Sequence, residues 1–172
     1  LDEEEITTIE NLANAHDLII FSDEVYEHLY FEAPHQSLMR RKGLRDRTIV
    51  ASSIGKTFSL TGWKIGWTIA PPHLTAAVRA AHQFMIFSVA TPLQVASAEA
   101  LNAPRSYFQE FRDAYRRKRE LMVTGLASAG LDVIVPEGTY FALIDHTSYG
   151  LPDDRAFCQH LIEEAGVAAI PV

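Results

Sequence analysis

Between Thr48 and Ala51 the chain carries a short apolar run that halts at Ser52-Ser53-Ile54-Gly55-Lys56. A run this short, bounded by small and hydroxylated residues, has the pattern of a buried strand. Leu18-Ile19-Ile20-Phe21 repeats the arrangement and stops at Ser22-Asp23-Glu24-Val25-Tyr26. Its unbroken hydrophobicity is typical of a strand covered on both faces. Open α/β sheets gather their ligand groups at the carboxyl ends of such strands. Two strands with chemistry at their carboxyl ends are what one cleft requires.

The surroundings of the two lysines are unusual. Lys56 stands among small, hydroxylated and aromatic residues, and Lys64 is ringed by Gly62, Trp63, Gly66 and Trp67. No acidic residue occurs between Asp46 and Glu99. A lysine amine in such a place loses hydration, which favours its neutral, nucleophilic form. On the residues alone, a solvated loop lysine remains open for Lys56, and a stem packed on an indole remains open for Lys64.

The rest of the chain alternates between helical and strand patterns. Leu1 to Ala15 opens with Asp2, Glu3, Glu4 and Glu5, which suit the positive end of a helix dipole, and then repeats Ile6, Ile9, Leu12 and Ala13 at helical spacing. Glu32 to Arg47 reads as a charged excursion with one helical turn, and Ile65 to Ala70 as a third strand ended by Pro71-Pro72. Helices are expected over His73 to Phe87 and Leu93 to Leu101, with a break at Asn102-Ala103-Pro104. The composition changes there, so one domain is assigned to residues 1–104 and another to 105–172. Ser106 to Gln109 has a capping-box pattern ahead of a long helix with Phe108, Phe111, Tyr115, Met122 and Leu126 on one core-facing stripe, stopped by Gly130. Strands are expected at Val133 to Val135, Thr139 to Ile144 and Val167 to Ile170, with a helix from Asp153 to Ala165 stopped by Gly166. Few tight hairpins and this mixture favour a mixed α/β sheet followed by a smaller α+β unit.

Composition closes off several functions. The chain has 172 residues and a net charge of -7. That charge argues against a binder of phosphate backbones, and the basic cluster Arg116 to Arg119 reads as a solvated helix face. The longest charge-free stretch, between Arg79 and Glu99, contains His82, Gln83, Pro92 and Gln94 and is a poor membrane span. Cys158 is alone, so no disulfide forms within the chain, and the cytosol is the natural compartment. Cys158 reads as a small core residue beside Phe157. The histidines lie on separate elements, with no HxH or HExxH pattern, and form no metal set.

The run GKTFSLTGWKIGW resembles the cofactor-lysine segment of fold-type I aminotransferases that use pyridoxal 5′-phosphate (PLP). It is most similar to the branch containing kynurenine, glutamine and methionine–oxoacid aminotransferases. The resemblance covers nearly the whole chain, which begins with Leu1 and spans less than half of a family member. It is read as an internal piece of a larger enzyme, holding the later part of the large PLP domain and the start of the small one.

The resemblance implies a role for each matching residue. Lys56 would form the Schiff base with PLP and act as the general base. Asp23, in SDEVYEHLYF, would pair with the pyridine nitrogen, and Tyr26 would hydrogen-bond the ring hydroxyl. Ser53 and Lys64 would contact the phosphate, with Lys64 standing where many relatives carry an arginine. Phe87, in HQFMIFSVATPLQ, matches an aromatic that reaches the substrate pocket of the partner subunit. An ordinary core position is the alternative for Phe87. The family's glycine-rich phosphate turn, ring-stacking aromatic and cofactor-contacting asparagine would lie upstream of Leu1, and its substrate-carboxylate arginine downstream of Val172. The implied activity is transfer of an amino group from an α-amino acid to a 2-oxo acid by a homodimer. Three alternatives share these residues: a PLP-dependent carbon–sulfur β-lyase, an aminotransferase-like ligand-sensing domain of a transcription regulator, and a truncated product without catalysis.

Overall fold

The computed structural model describes residues Leu1–Val172, which divide into two compact units, one of 1–114 with 137–139 and one of 115–136 with 140–172.

The first unit opens with helix α1, Glu3–Ala15. Asp2 caps it by accepting the Glu5 N–H at 2.8 Å, while the Glu5 carboxylate accepts the Asp2 N–H, a reciprocal capping box that satisfies two otherwise orphaned donors. The chain leaves α1 through Asp17, whose φ is 50°, and the Leu18 N–H bonds back to the Ala13 carbonyl. That exit consumes Leu18, so the first strand begins later than the apolar run and covers Ile20–Asp23 (β1).

Strand β2, Thr48–Ser53, pairs in parallel with β1, setting Asp23 opposite Ala51. Strand β3, Gly66–Ile69, pairs antiparallel with β2 and completes a sheet of order β1-β2-β3. The mixed sheet expected from the sequence is present, with β2 at its centre. The expectation that β1 is covered on both faces is not met. It lies at the end of the sheet, and Ile19 and Phe21 are exposed. Behind the sheet, Ile6, Ala13, Leu38 and Leu44 form a core against which Ile9 and Ile20 pack. The excursion between β1 and β2 contributes Leu38 and Leu44 through two 3-10 turns, Leu38–Arg40 and Arg45–Arg47, where one turn was expected. Arg41 ties it to α1 by ion pairs to Glu3 and Glu10.

After β3 come helices α3, Pro72–Met85, and α4, Thr91–Leu101, close to their expected ranges. (The single turn α2, Ile54–Thr57, follows β2.) Helix α5 runs from Arg105 to Ser128, one residue ahead of the expected cap. The Tyr107 N–H bonds the Pro104 carbonyl at 3.0 Å, so the helical turn starts on the proline and Ser106 lies inside it rather than capping it. The stripe expected to be core is not buried either. No residue of α5 is fully buried, and Met122 is 55% exposed.

Leu29 to Phe31 in the first unit hydrogen-bonds the short segment Glu137–Thr139, with the Phe31 N–H on Glu137 and the Thr139 N–H on Leu29. That pairing corrects the strand expected from Thr139. Gly138 is taken up against Leu29, where an added Cβ would lie 3.0 Å from the carbonyl oxygen, and Thr139 turns with a φ of 63°.

In the second unit, β4, Asp132–Ile134, pairs antiparallel with β5, Leu143–Asp145. Helix α6, Asp154–Ala165, is capped by Asp153, which accepts the Ala156 N–H at 2.8 Å. Gly130 and Gly166 end α5 and α6 with φ of 82° and 67°, conformations glycine adopts at little cost. Phe157 and Cys158 are buried, with Tyr149 tilted against Phe157 at 5.3 Å. Val167 to Ile170 forms no strand, because no segment pairs with it.

Candidate active site

The parallel pairing of β1 and β2 brings both reactive ends to one edge. Adjacent strands lie about 5 Å apart, so the turn after Asp23 and the turn after Ser53 are neighbours. The Glu24 N–H extends the ladder by bonding the Ala51 carbonyl at 2.8 Å. The chain then tightens through Glu27 N–H to Glu24 and Leu29 N–H to Tyr26, which sets Tyr26 in a closed turn. Asp23 is exposed, and its Oδ1 accepts the Val25 N–H at 3.3 Å, holding the carboxylate at the start of that turn.

On the β2 side, Ser53 is the N-cap of α2, and its Oγ accepts the Gly55 N–H at 3.2 Å. With the oxygen used as an acceptor, the hydroxyl proton is left to donate to a ligand. Lys56 sits in the turn of α2, half-buried, with Nζ 5.5 Å from the centre of the Tyr26 ring, a cation–π arrangement. Lys56 and Tyr26, thirty residues apart in sequence, are thereby brought into contact.

The second lysine is held by the loop that follows. The Thr61 hydroxyl donates to the Gly55 carbonyl at 2.9 Å, and the Ile54 N–H reaches the Ile65 carbonyl, so residues 61–65 fold back on the start of α2. Lys64 closes the 3-10 turn Thr61–Trp63 in the left-handed region, with φ 56°, and is exposed. Gly66 is required where β3 meets β2, because a Cβ there would lie 2.8 Å from the Ser52 carbonyl oxygen. Phe87 is set differently. It is 80% exposed in the connection between α3 and α4, with its N–H on His82, and lines a groove with Ala76, Arg79 and Gln83 of α3.

Three supporting residues escaped sequence reasoning. Glu24 is buried, and its carboxylate accepts hydrogen bonds from Ser22, Ser37 and His35. Ser52 is buried and donates to Glu27 at 3.1 Å, linking the end of β2 to the turn after β1. Tyr107 donates to the Thr57 carbonyl at 2.8 Å and stacks on Phe58, clamping the end of α2 beside Lys56. Strand alternation could have set Glu24 on the opposite face from Asp23, but nothing local in the sequence points to Tyr107. Behind this turn His28 lies against Phe108 at 4.5 Å. Burial pushes its imidazole below the ordinary value, Glu27 opposes that shift, and Arg112 and His35 add to it.

The geometry gathers a lysine amine, a carboxylate, a phenol and a hydroxyl at the ends of adjacent parallel strands. The family model for aminotransferase class I and II matches residues 1–172, and the chain belongs to that family. It is 43% identical over 158 residues to the methionine aminotransferase of Escherichia coli, covering 91% of this chain and 41% of that protein. It is 36% identical to human kynurenine–oxoglutarate transaminase 1, covering 98% of this chain and 44% of that protein. Among solved structures, the N-succinyldiaminopimelate aminotransferase of Mycobacterium tuberculosis superposes with a TM-score of 0.93 at 41% identity, covering 99% of this chain and 45% of that one. The fold is that of the fold-type I PLP-dependent transferases. The chain spans less than half the length of the curated relatives it matches. No helix is long and apolar enough to cross a membrane.

Proposed function

We propose that this chain is the cofactor-lysine segment of a PLP-dependent aminotransferase that moves an amino group from an α-amino acid to a 2-oxo acid. The observation that carries the reading is the contact between Lys56 and Tyr26 across the parallel pair β1 and β2, with Asp23 and Ser53 at the same strand ends. The donor set fits PLP, since an amine suits its aldehyde, a carboxylate its ring nitrogen, a phenol its ring hydroxyl, and a hydroxyl with an ammonium its phosphate.

PLP, when bound, supplies a carbonyl that takes up amino groups and a ring that withdraws electrons from the substrate carbon. Lys56 Nζ would hold the cofactor and would carry the proton between the substrate α-carbon and the cofactor. Its seat over the Tyr26 ring, half out of solvent, holds the amine at the strand ends where this step takes place. The Asp23 carboxylate would hold the ring nitrogen and favour its protonated form. The Tyr26 hydroxyl would hold the ring oxygen. Ser53 would donate its hydroxyl proton to the phosphate, which Lys64 would meet as a point charge rather than a planar fork.

The same reading assigns residues 1–104 to the later part of the large PLP domain and 105–172 to the start of the small one. It makes the intact enzyme a cytoplasmic homodimer whose Phe87 reaches the partner's substrate pocket, with amino and 2-oxo acids as its substrates. The test is a peptide map of the full-length protein after incubation with PLP and reduction by borohydride. A phosphopyridoxyl group on Lys56 is the expected result. An adduct on another lysine, or none, overturns the site.

A further inference from the structure

Two acidic residues stand side by side at the end of β1, and only one of them is exposed. Burial alternates along the strand, with Ile20 and Ser22 half-buried and Phe21 and Asp23 exposed. Glu24 continues the buried set at 4% exposure. Because the side-chain period of a strand is two, a slip of one residue would turn Glu24 outward and Asp23 inward. β1 is only four residues long, Ile20–Asp23, so few of its own side chains oppose such a slip.

The buried carboxylate supplies the missing constraint. One oxygen, Oε1, accepts from the Ser22 hydroxyl at 3.0 Å and from the Ser37 hydroxyl at 2.9 Å. The other, Oε2, lies 2.9 Å from His35 Nε2, and since a carboxylate only accepts, that ring nitrogen carries the proton. Two of these three donors come from the excursion that precedes β2, which Leu38 and Leu44 anchor in the core. The three donors suit a carboxylate with the reach of glutamate. An aspartate drawn into the same place by a slip is one methylene shorter and would leave buried donors unpaired.

We infer that Glu24 is the positioning residue of the site, selecting which of the two adjacent acids is presented to the Lys56 cleft. It rests on the reading of Asp23 as the partner of the cofactor nitrogen. The carboxylate itself touches neither cofactor nor substrate. It fixes the strand end from behind, so that Asp23 Oδ1 is left to start the turn through the Val25 N–H. The same buried network joins the excursion to the strand that carries the acid.

The experiment uses full-length protein and two readouts. In the cofactor-free protein, amide hydrogen exchange over residues 20–31 reports the strand end directly. Glu24→Leu is expected to speed exchange there by at least tenfold, with α1 and α6 unchanged, while Glu24→Gln, whose amide oxygen still accepts, stays within about threefold of the parent. The second readout is retention of PLP. Glu24→Leu is expected to weaken it about tenfold, yet to add less than twofold in an Asp23→Ala background, because a residue acting through Asp23 has nothing left to position. His35→Ala and Ser37→Ala, which keep the carboxylate and remove one donor each, serve where the double variant does not fold, and each is expected to weaken retention severalfold. Unchanged exchange in Glu24→Leu overturns the inference whatever happens to PLP. So does a loss of PLP that multiplies with Asp23→Ala, or a fall in Tm with retention intact. Faster exchange in a protein whose Lys56 carries no phosphopyridoxyl group overturns the functional reading instead, and leaves the role of Glu24 in setting the strand end standing.

Discussion

Lys56 and Lys64 are chemically identical side chains with different surroundings. Lys56 is half-buried against the Tyr26 ring, whereas Lys64 is exposed on a left-handed turn. An amine at the edge of a cleft acts on an anion as a charge and not as a base. Lys64→Ala is therefore expected to weaken PLP retention about tenfold, the worth of one charge-assisted hydrogen bond, while leaving the single-turnover rate of the loaded enzyme within about twofold. Equilibrium dialysis and rapid mixing separate the two. Unchanged retention would make Lys64 a packing residue. At this scale Lys56 is singled out by its charge-poor setting, while Asp23, Tyr26, Ser53 and Lys64 are singled out by the resemblance of their segments to the family. Glu24 and Tyr107 are not, since their partners lie well away in sequence.

The element that holds the site from behind is the turn from Glu24 to Phe31, and His28 is its titrating group. Burial is the main cause of the lowered affinity of His28 for a proton, with Glu27 in opposition. The unfolded chain takes up this proton near the ordinary value of 6.5, while the folded chain resists until lower pH. Below 6.5 the unfolded state binds more protons, so stability is held above that pH and declines as pH falls through the window beneath it. His28→Gln removes that component. Urea midpoints measured between about pH 7.5 and 5 should fall less steeply in the variant. Equal slopes would show that His28 titrates alike in both states. The strand ends themselves moved by up to four residues from their expected places. The causes are specific: the Leu18 N–H is spent on the exit from α1, and Gly138 is held by Leu29.

Over the whole molecule the distribution of exposed apolar side chains is uneven. Phe84, Met85, Ile86 and Phe87 are consecutive and all more than half exposed, with Phe84 at 88%. Exposed apolar side chains gathered in this way mark an interaction surface. In the full-length homodimer proposed above, a second copy would cover them. Phe84→Glu is then expected to shift the protein from dimer to monomer at micromolar concentration in sedimentation experiments, and to reduce activity along with it. A dimer of undiminished strength would assign the patch to another partner. The stripe of α5 belongs to the same scale. Helical spacing marks Phe108 to Leu126 as one face, yet spacing cannot say whether another element covers that face.

What the sequence determined by itself is a set of candidate residues and the kinds of element that carry them. Apolar periodicity, glycine and proline stops and the charge-poor setting of the lysines are local, and local patterns are written in consecutive residues. The tertiary structure alone decided which of those residues meet. The parallel register of β1 with β2 puts Asp23 beside Ala51 and Tyr26 under Lys56, and the buried donors around Glu24 come from a segment that the sequence reads only as an exposed excursion. Contacts of this kind depend on how a crossover closes and on which buried polar groups find partners. Those are properties of the folded chain as a whole, and no window of sequence contains them.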